Sequence, residues 1–79
     1  MSTNSVDPQL QVQKLIADVD RHIKDHDFEQ AYVKSSQATV LIENWMLRPS
    51  KELLLMAAKT CQKTGRFRKS IEFYREVLN

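Results

Sequence analysis

The chain has 79 residues, of which 42% are hydrophobic and 28% charged, and its formal net charge is +2. This length allows one domain, and this composition excludes both a disordered chain and a membrane-spanning one. Because there is a single cysteine, Cys61, and no basic start followed by an apolar run, we expect a cytoplasmic or nuclear protein without disulfides or a secretory signal.

The first predicted helix starts at an aspartate–proline pair. Pro8, Pro49 and Gly65 are the only prolines and glycine, so the chain has few places to turn and is predicted to be mostly helical. The Asp7 carboxylate can accept the free N–H groups of a first turn, and Pro8 loses no hydrogen bond at the first helical position. This predicts a helix from Pro8 to Asp25. Its buried face is predicted to consist of Val12, Leu15, Ile16, Val19 and Ile23.

The second predicted helix begins directly after the first. Asp27 can cap it, and Gln30 can reach back to the Asp27 N–H, as in a capping box. Pro49 ends this region because proline disfavours helical dihedrals at the residue before it. The side predicted to be buried consists of Phe28, Ala31, Tyr32, Ser35, Ala38, Ile42 and Trp45.

Two further helices are predicted in the second half of the chain. Ser50 can cap a helix from Lys51 to Thr64, whose stripe of mostly small residues lets another helix come close. Gly65 then permits the left-handed turn of an antiparallel helix hairpin. The stripe of the third helix is Leu54, Ala57, Ala58 and Cys61, and the helically spaced positions of the fourth are Phe67, Ser70, Ile71, Tyr74, Val77 and Leu78.

These elements predict an all-α fold of four helices in two antiparallel hairpins. The first hairpin covers about residues 8–47 and the second about residues 50–79, after a disordered tail at residues 1–6. All of the chain beyond the tail is expected to form a single domain.

The two hairpins are an internal repeat, because the second helix aligns with the fourth. The alignment pairs Phe28 with Phe67, Ala31 with Ser70, Tyr32 with Ile71, Ser35 with Tyr74 and Ala38 with Val77. With small residues where helices cross, a glycine in the turn and an aromatic soon after it, the chain resembles the tetratricopeptide repeat family. The resemblance is strongest over residues 51–79, where Gly65 and Phe67 form the turn. It implies a right-handed superhelical stack of hairpins.

The resemblance also implies a protein-binding scaffold, with ligand contacts from the inner helix of each repeat. The implied contact residues are Gln13, Ile16, Asp20 and Lys24 in the first repeat, and Glu52, Leu55, Lys59, Gln62 and Lys63 in the second. An apolar floor with a basic rim favours an amphipathic helix or extended segment that carries acidic residues.

The fourth helix is predicted to have apolar residues on two sides. The residues predicted to face their own hairpin are Phe67, Ile71, Tyr74 and Leu78. The two aromatic residues of this set are predicted to be core anchors. Phe73 and Val77 are predicted to face the position of a next hairpin, where a partner would bind. Because stacks of this kind usually need three or more repeats, we expect a longer chain, a homodimer or a partner that packs there.

Self-association and nucleic-acid binding are the alternatives to a protein-binding scaffold. A dimerisation module within a large complex explains the missing third repeat without any ligand. Residues 1–44 hold four Lys or Arg against seven Asp or Glu, whereas residues 45–79 hold eight against three. Nucleic-acid binding would require phosphate contacts from the basic cluster of Lys59, Lys63, Arg66, Arg68 and Lys69.

No sequence pattern of catalysis is found, so we expect no enzymatic activity, no cofactor and no metal. There is no glycine-rich phosphate loop and no serine elbow. His22 and His26 are four residues apart with Asp18 one turn away, but no second cluster supplies further metal ligands. Cys61 lies on the stripe of small residues and is interpreted as a buried structural thiol.

Overall fold

The computed structural model describes residues 7–79, so the predicted tail at residues 1–6 lies outside the described part of the chain. The helices of that part are α1 (Pro8–Lys24), α2 (Phe28–Asn44), α3 (Lys51–Lys63) and α4 (Phe67–Leu78). No strand occurs among residues 7–79. The all-α fold class is therefore confirmed, and α1 and α3 each end one residue before their predicted ends.

Side chains cap α1 and α3 at the predicted residues. Asp7 accepts hydrogen bonds from the N–H groups of Gln9 and Leu10, at 3.0 and 3.4 Å. Ser50 accepts one from the N–H of Leu53 at 3.1 Å. Each cap satisfies N–H groups that have no partner within the helix.

The capping box predicted at the start of α2 is only half formed. The Asp27 carboxylate accepts a hydrogen bond from the Gln30 N–H at 3.4 Å. The Asp27 N–H, however, donates to the carbonyl of His22 at 2.8 Å. The prediction for Gln30 was wrong because the end of α1 already uses this N–H.

The ends of α1, α2 and α3 share one backbone geometry. Each is followed by a residue with positive φ, which is 61° at His26, 54° at Met46 and 81° at Gly65. The N–H of the next residue then donates to a carbonyl in the last turn. These bonds run from Asp27 to His22 at 2.8 Å, from Leu47 to Ile42 at 2.9 Å, and from Arg66 to Cys61 at 2.7 Å. This is the Schellman motif, and it confirms the predicted turn at Gly65.

The left-handed turns lead us to expect opposite changes in the free energy of unfolding for two substitutions. A β-carbon on Gly65 would meet no atom within 4 Å, so Gly65→Ala should lower the free energy of unfolding by about 1 kcal/mol through its backbone alone. Met46→Gly should raise it slightly, since the Met46 side chain is exposed. Urea unfolding measures both changes. An unchanged stability in Gly65→Ala would contradict the left-handed turn.

Five of the ten buried apolar residues are alanine or cysteine, and α3 contacts each of the other three helices. The largest fully buried side chains are those of Leu53, Val19, Thr60 and Cys61. One cluster joins α1, α2 and α3 through Val12, Ala38, Ile42 and Leu53, with Leu15, Ile16, Leu41 and Leu47 packed around it. Among residues 7–79, no helix is long and apolar enough to cross a membrane.

Helix α4 is rotated about its axis by about 100° from the predicted orientation. Phe67, Ile71, Tyr74 and Leu78 are 62%, 54%, 39% and 86% exposed. Ser70 is buried, and Phe73 and Val77 are half-buried beside it. The prediction of Phe67 and Tyr74 as core anchors was therefore wrong, and Phe73 does not face outward.

The small size of Ser70 explains this orientation. Ala57, Ala58 and Cys61 of α3 are fully buried, and a serine opposite small residues lets two helix backbones come close. Helical periodicity locates an apolar stripe, but it does not decide which of two stripes lies inside. Trp45 is also exposed, contrary to prediction, because α2 ends at Asn44.

Side-chain truncation should distinguish the core from the exposed face. Leu53→Ala should lower the free energy of unfolding by about 2–5 kcal/mol, because Leu53 is fully buried. Tyr74→Ala should lower it by less than about 1 kcal/mol, as expected for an exposed residue. Urea unfolding of both variants checks the order. A larger loss for Tyr74→Ala would contradict the observed orientation of α4.

Candidate partner-binding surface

The outer face of α4 is an apolar stripe formed by Phe67, Ile71, Tyr74 and Leu78. Their spacings of four, three and four residues place them on one side of the helix. All four are exposed to solvent. We call these four residues the α4 outer face. Monomeric proteins rarely expose a continuous apolar stripe unless it contacts another molecule.

Two arginines run along one edge of the α4 outer face. Arg68 follows Phe67 and Arg75 follows Tyr74, so each lies about 100° further round the helix from an apolar residue of the stripe. Both are exposed. The ion pairs among residues 7–79 involve Arg21, His22, Lys24 and Arg66, and neither Arg68 nor Arg75. This edge is therefore positively charged.

The beginning of α4 is attached to α2 through a tyrosine. The guanidinium of Arg66 lies 3.7 Å from the centre of the Tyr32 ring. The Lys69 ammonium donates a hydrogen bond to the Tyr32 hydroxyl at 3.2 Å. Arg66 is also 3.7 Å from the Glu29 carboxylate. Arg66 and Lys69, two members of the predicted basic cluster, are therefore in contact with other residues of the protein.

The same contacts change the acidity of the tyrosine. The hydrogen bond from Lys69 is the main cause that lowers the pKa of Tyr32 below its ordinary value of 10.0. The nearby ammonium and guanidinium charges act in the same direction. Between the lowered pKa and the ordinary one, the unfolded chain binds more protons at this group, so Tyr32 adds stability as the pH rises through this window.

Titration of the phenol tests the contact between α2 and α4. In a Tyr74→Phe background, Tyr32 is the remaining tyrosine. The midpoint of its phenolate absorbance titration should lie below pH 10.0, the ordinary pKa. Adding Lys69→Met should raise the midpoint, because the main stabilising donor is lost. Equal midpoints with and without Lys69 would show that the ammonium and the phenol are apart in solution.

The inner-helix residues predicted to bind a partner differ in position and exposure. Ile16 is half-buried and packs against the core cluster. Asp20 and Lys24 form an ion pair with each other, with 3.0 Å between the Lys24 ammonium and the Asp20 carboxylate. On α3, all five predicted residues are exposed: Glu52, Leu55, Lys59, Gln62 and Lys63. Among residues 7–79, no hydrogen bond or ion pair joins the α1 set to the α3 set.

Of the clefts that include sequence-predicted residues, two are lined by residues of the core cluster. One of about 510 Å³ lies between α1 and the segment after α2, and its walls include Gln13, Ile16 and Leu47. The other, of about 260 Å³, lies where α4 approaches the end of α2, and Phe73 lines it beside Leu54. Phe73 thus faces a cleft inside the domain and not the outer side of α4. The α4 outer face was not predicted as a site because its residues were assigned to the core.

The cysteine and the two histidines lie in different surroundings. Cys61 is buried, and burial raises the pKa of its thiol. His22 is 3.8 Å from the Asp27 carboxylate, whereas His26 packs edge-on against Phe28 with 5.8 Å between ring centres. Within residues 7–79, no group of three His, Cys, Asp or Glu side chains could hold a metal ion.

Comparisons of the chain with protein-family models, with curated proteins and with solved structures find no match in any of the three. The resemblance to tetratricopeptide repeats therefore stays a prediction that depends on the residues of the second hairpin.

Proposed function

We propose that this chain is a non-enzymatic protein–protein interaction scaffold that binds a helical or extended segment of a partner. The observation that carries this proposal is the α4 outer face, a stripe of four large side chains left in water. A helix with apolar residues on two sides gains stability when a second element covers the free side. A domain this small has few other sources of stability.

The exposed part of α3 supports the same proposal. Leu55, Lys59 and Gln62 are exposed side chains on this helix, and the resemblance to tetratricopeptide repeats implies partner contacts from it. They would add an apolar residue and a basic rim to the binding surface. A buried, unpaired cysteine is compatible with the cytoplasm or the nucleus as the place of action.

Self-association is the second candidate, because another copy of the chain could cover the same α4 outer face. Nucleic-acid binding has less support. Arg66 and Lys69 are already placed against Tyr32 and Glu29, so a phosphate backbone would have to compete with contacts inside the protein. A scaffold that uses apolar contacts needs no such competition.

A pair of matched substitutions tests the proposed scaffold. Ile71 and Val40 are both 54% exposed, but Ile71 belongs to the α4 outer face and Val40 lies on α2. Proteins retained by the immobilised chain from an extract of the cells that make it are identified, purified and titrated against the chain directly. We expect Ile71→Asp to weaken direct binding by about tenfold or more and Val40→Asp to leave it nearly unchanged.

Circular dichroism provides the control for this experiment, because both variants should keep the helical content of the parent chain. The proposal is contradicted if no purified protein binds directly, or if every direct binder has the same affinity for the Ile71→Asp variant and the parent.

A further inference from the structure

We infer that the α4 outer face binds an acidic amphipathic helix, whose carboxylates pair with Arg68 and Arg75. This inference rests on the proposed function and specifies the chemistry of the partner. It follows from three properties of α4: its backbone, the length of its apolar stripe and the charge along one edge.

The backbone of α4 favours a helix over an extended segment as the partner. An extended peptide usually gains affinity by adding main-chain hydrogen bonds to an exposed strand edge. The N–H and carbonyl groups in the middle of α4 are bonded within the helix, and residues 7–79 contain no strand. Recognition on this face therefore depends on side chains, as when the apolar side of one helix packs against another.

The apolar stripe is long enough to pack against three turns of a partner helix. From Phe67 to Leu78 it extends about 16 Å along the axis, at about 1.5 Å for each residue. Spacings of four, three and four residues are those of an amphipathic helix. A partner helix with the same apolar spacing would cover all four side chains.

The edge arginines specify the charge of that partner. Arg68 and Arg75 are seven residues apart, or about 10 Å along the helix. Neither forms an ion pair among residues 7–79, and residues 1–6 contain no Asp or Glu. Because the partner helix has the same rise, carboxylates seven residues apart beside its apolar stripe would meet both guanidinium groups. Glu72 and Glu76 lie further round α4, beyond the arginines.

The same charges disfavour a second copy of the chain as the occupant. A dimer through the α4 outer face would bring together two edges that each carry Arg68 and Arg75. Four guanidinium groups around one small apolar interface repel one another, and the Glu72 carboxylate, four residues after Arg68 and three before Arg75, offsets only part of this repulsion on each copy. An acidic partner replaces this repulsion with attraction.

Two designed peptides test the inference. Both are short amphipathic helices with leucine at spacings of four, three and four residues, and they differ only at two flanking positions seven residues apart. One peptide has glutamate there and the other has lysine. Titration calorimetry should give at least roughly tenfold tighter binding of the glutamate peptide at low salt, with the preference shrinking as salt is added.

Charge-reversal variants locate the preference. The double variant Arg68→Glu with Arg75→Glu should prefer the lysine peptide, because both edge charges are inverted. The control is Lys14→Glu with Lys51→Glu, which changes the net charge equally at exposed positions of α1 and α3. This control should keep the preference for the glutamate peptide, and circular dichroism should show the same helicity in both.

Each other outcome overturns the inference. Equal binding of the two peptides, lost in Ile71→Asp, removes the acidic partner but leaves the proposed scaffold intact. A reversal of preference in the control variant places the charge recognition outside α4. A chain that sediments as a dimer and binds neither peptide identifies the occupant as a second copy. If neither peptide binds a monomeric chain, the inference fails, and the scaffold is judged by its natural binders alone.

Discussion

The close approach of α4 to α3 at a set of small side chains is the contact on which the rest of the structure depends. Ala57, Ala58 and Cys61 are fully buried on α3, and Ser70 is the buried residue of α4. A large residue at any of these positions would separate the helices. Because the small residues must face each other, the rotation of α4 is fixed, and the four side chains of the α4 outer face are turned toward water.

This packing leaves a thin domain with an incomplete core. The described residues extend only 15 Å in the shortest direction, and no aromatic ring is fully buried. Local features add to the stability of this core, including three capped helix starts and three left-handed helix ends. The binding proposal has the same physical origin as the fold, since the apolar surface that would complete a core is the surface offered to a partner.

The sequence predicted the features that depend on local chemistry and missed those that depend on packing. The caps at Asp7 and Ser50 and the turn at Gly65 follow from side-chain oxygens and from the lack of a β-carbon. The left-handed turns at His26 and Met46 have no such sequence pattern, because a residue with a β-carbon adopts this conformation only where the surrounding structure requires it. The rotation of α4 could not be predicted, since two apolar stripes compete and only the neighbouring helix decides between them. The seven-residue spacing of Arg68 and Arg75 can be read from the sequence, but it indicates a binding surface only once the exposed face of α4 is known.

The accessibility of neighbouring positions on α4 tests the central claim most directly. In a Cys61→Ala background, single cysteines at Ile71 and at Ser70 are neighbours in sequence, but position 70 is buried and position 71 is exposed. Reaction with a thiol reagent under native conditions should be almost as fast for Ile71→Cys as for the unfolded chain. Ser70→Cys should react much more slowly, because position 70 is buried against α3. Fast reaction at position 70 together with protection at position 71 would contradict the account, because Ile71 and not Ser70 would then be buried against α3.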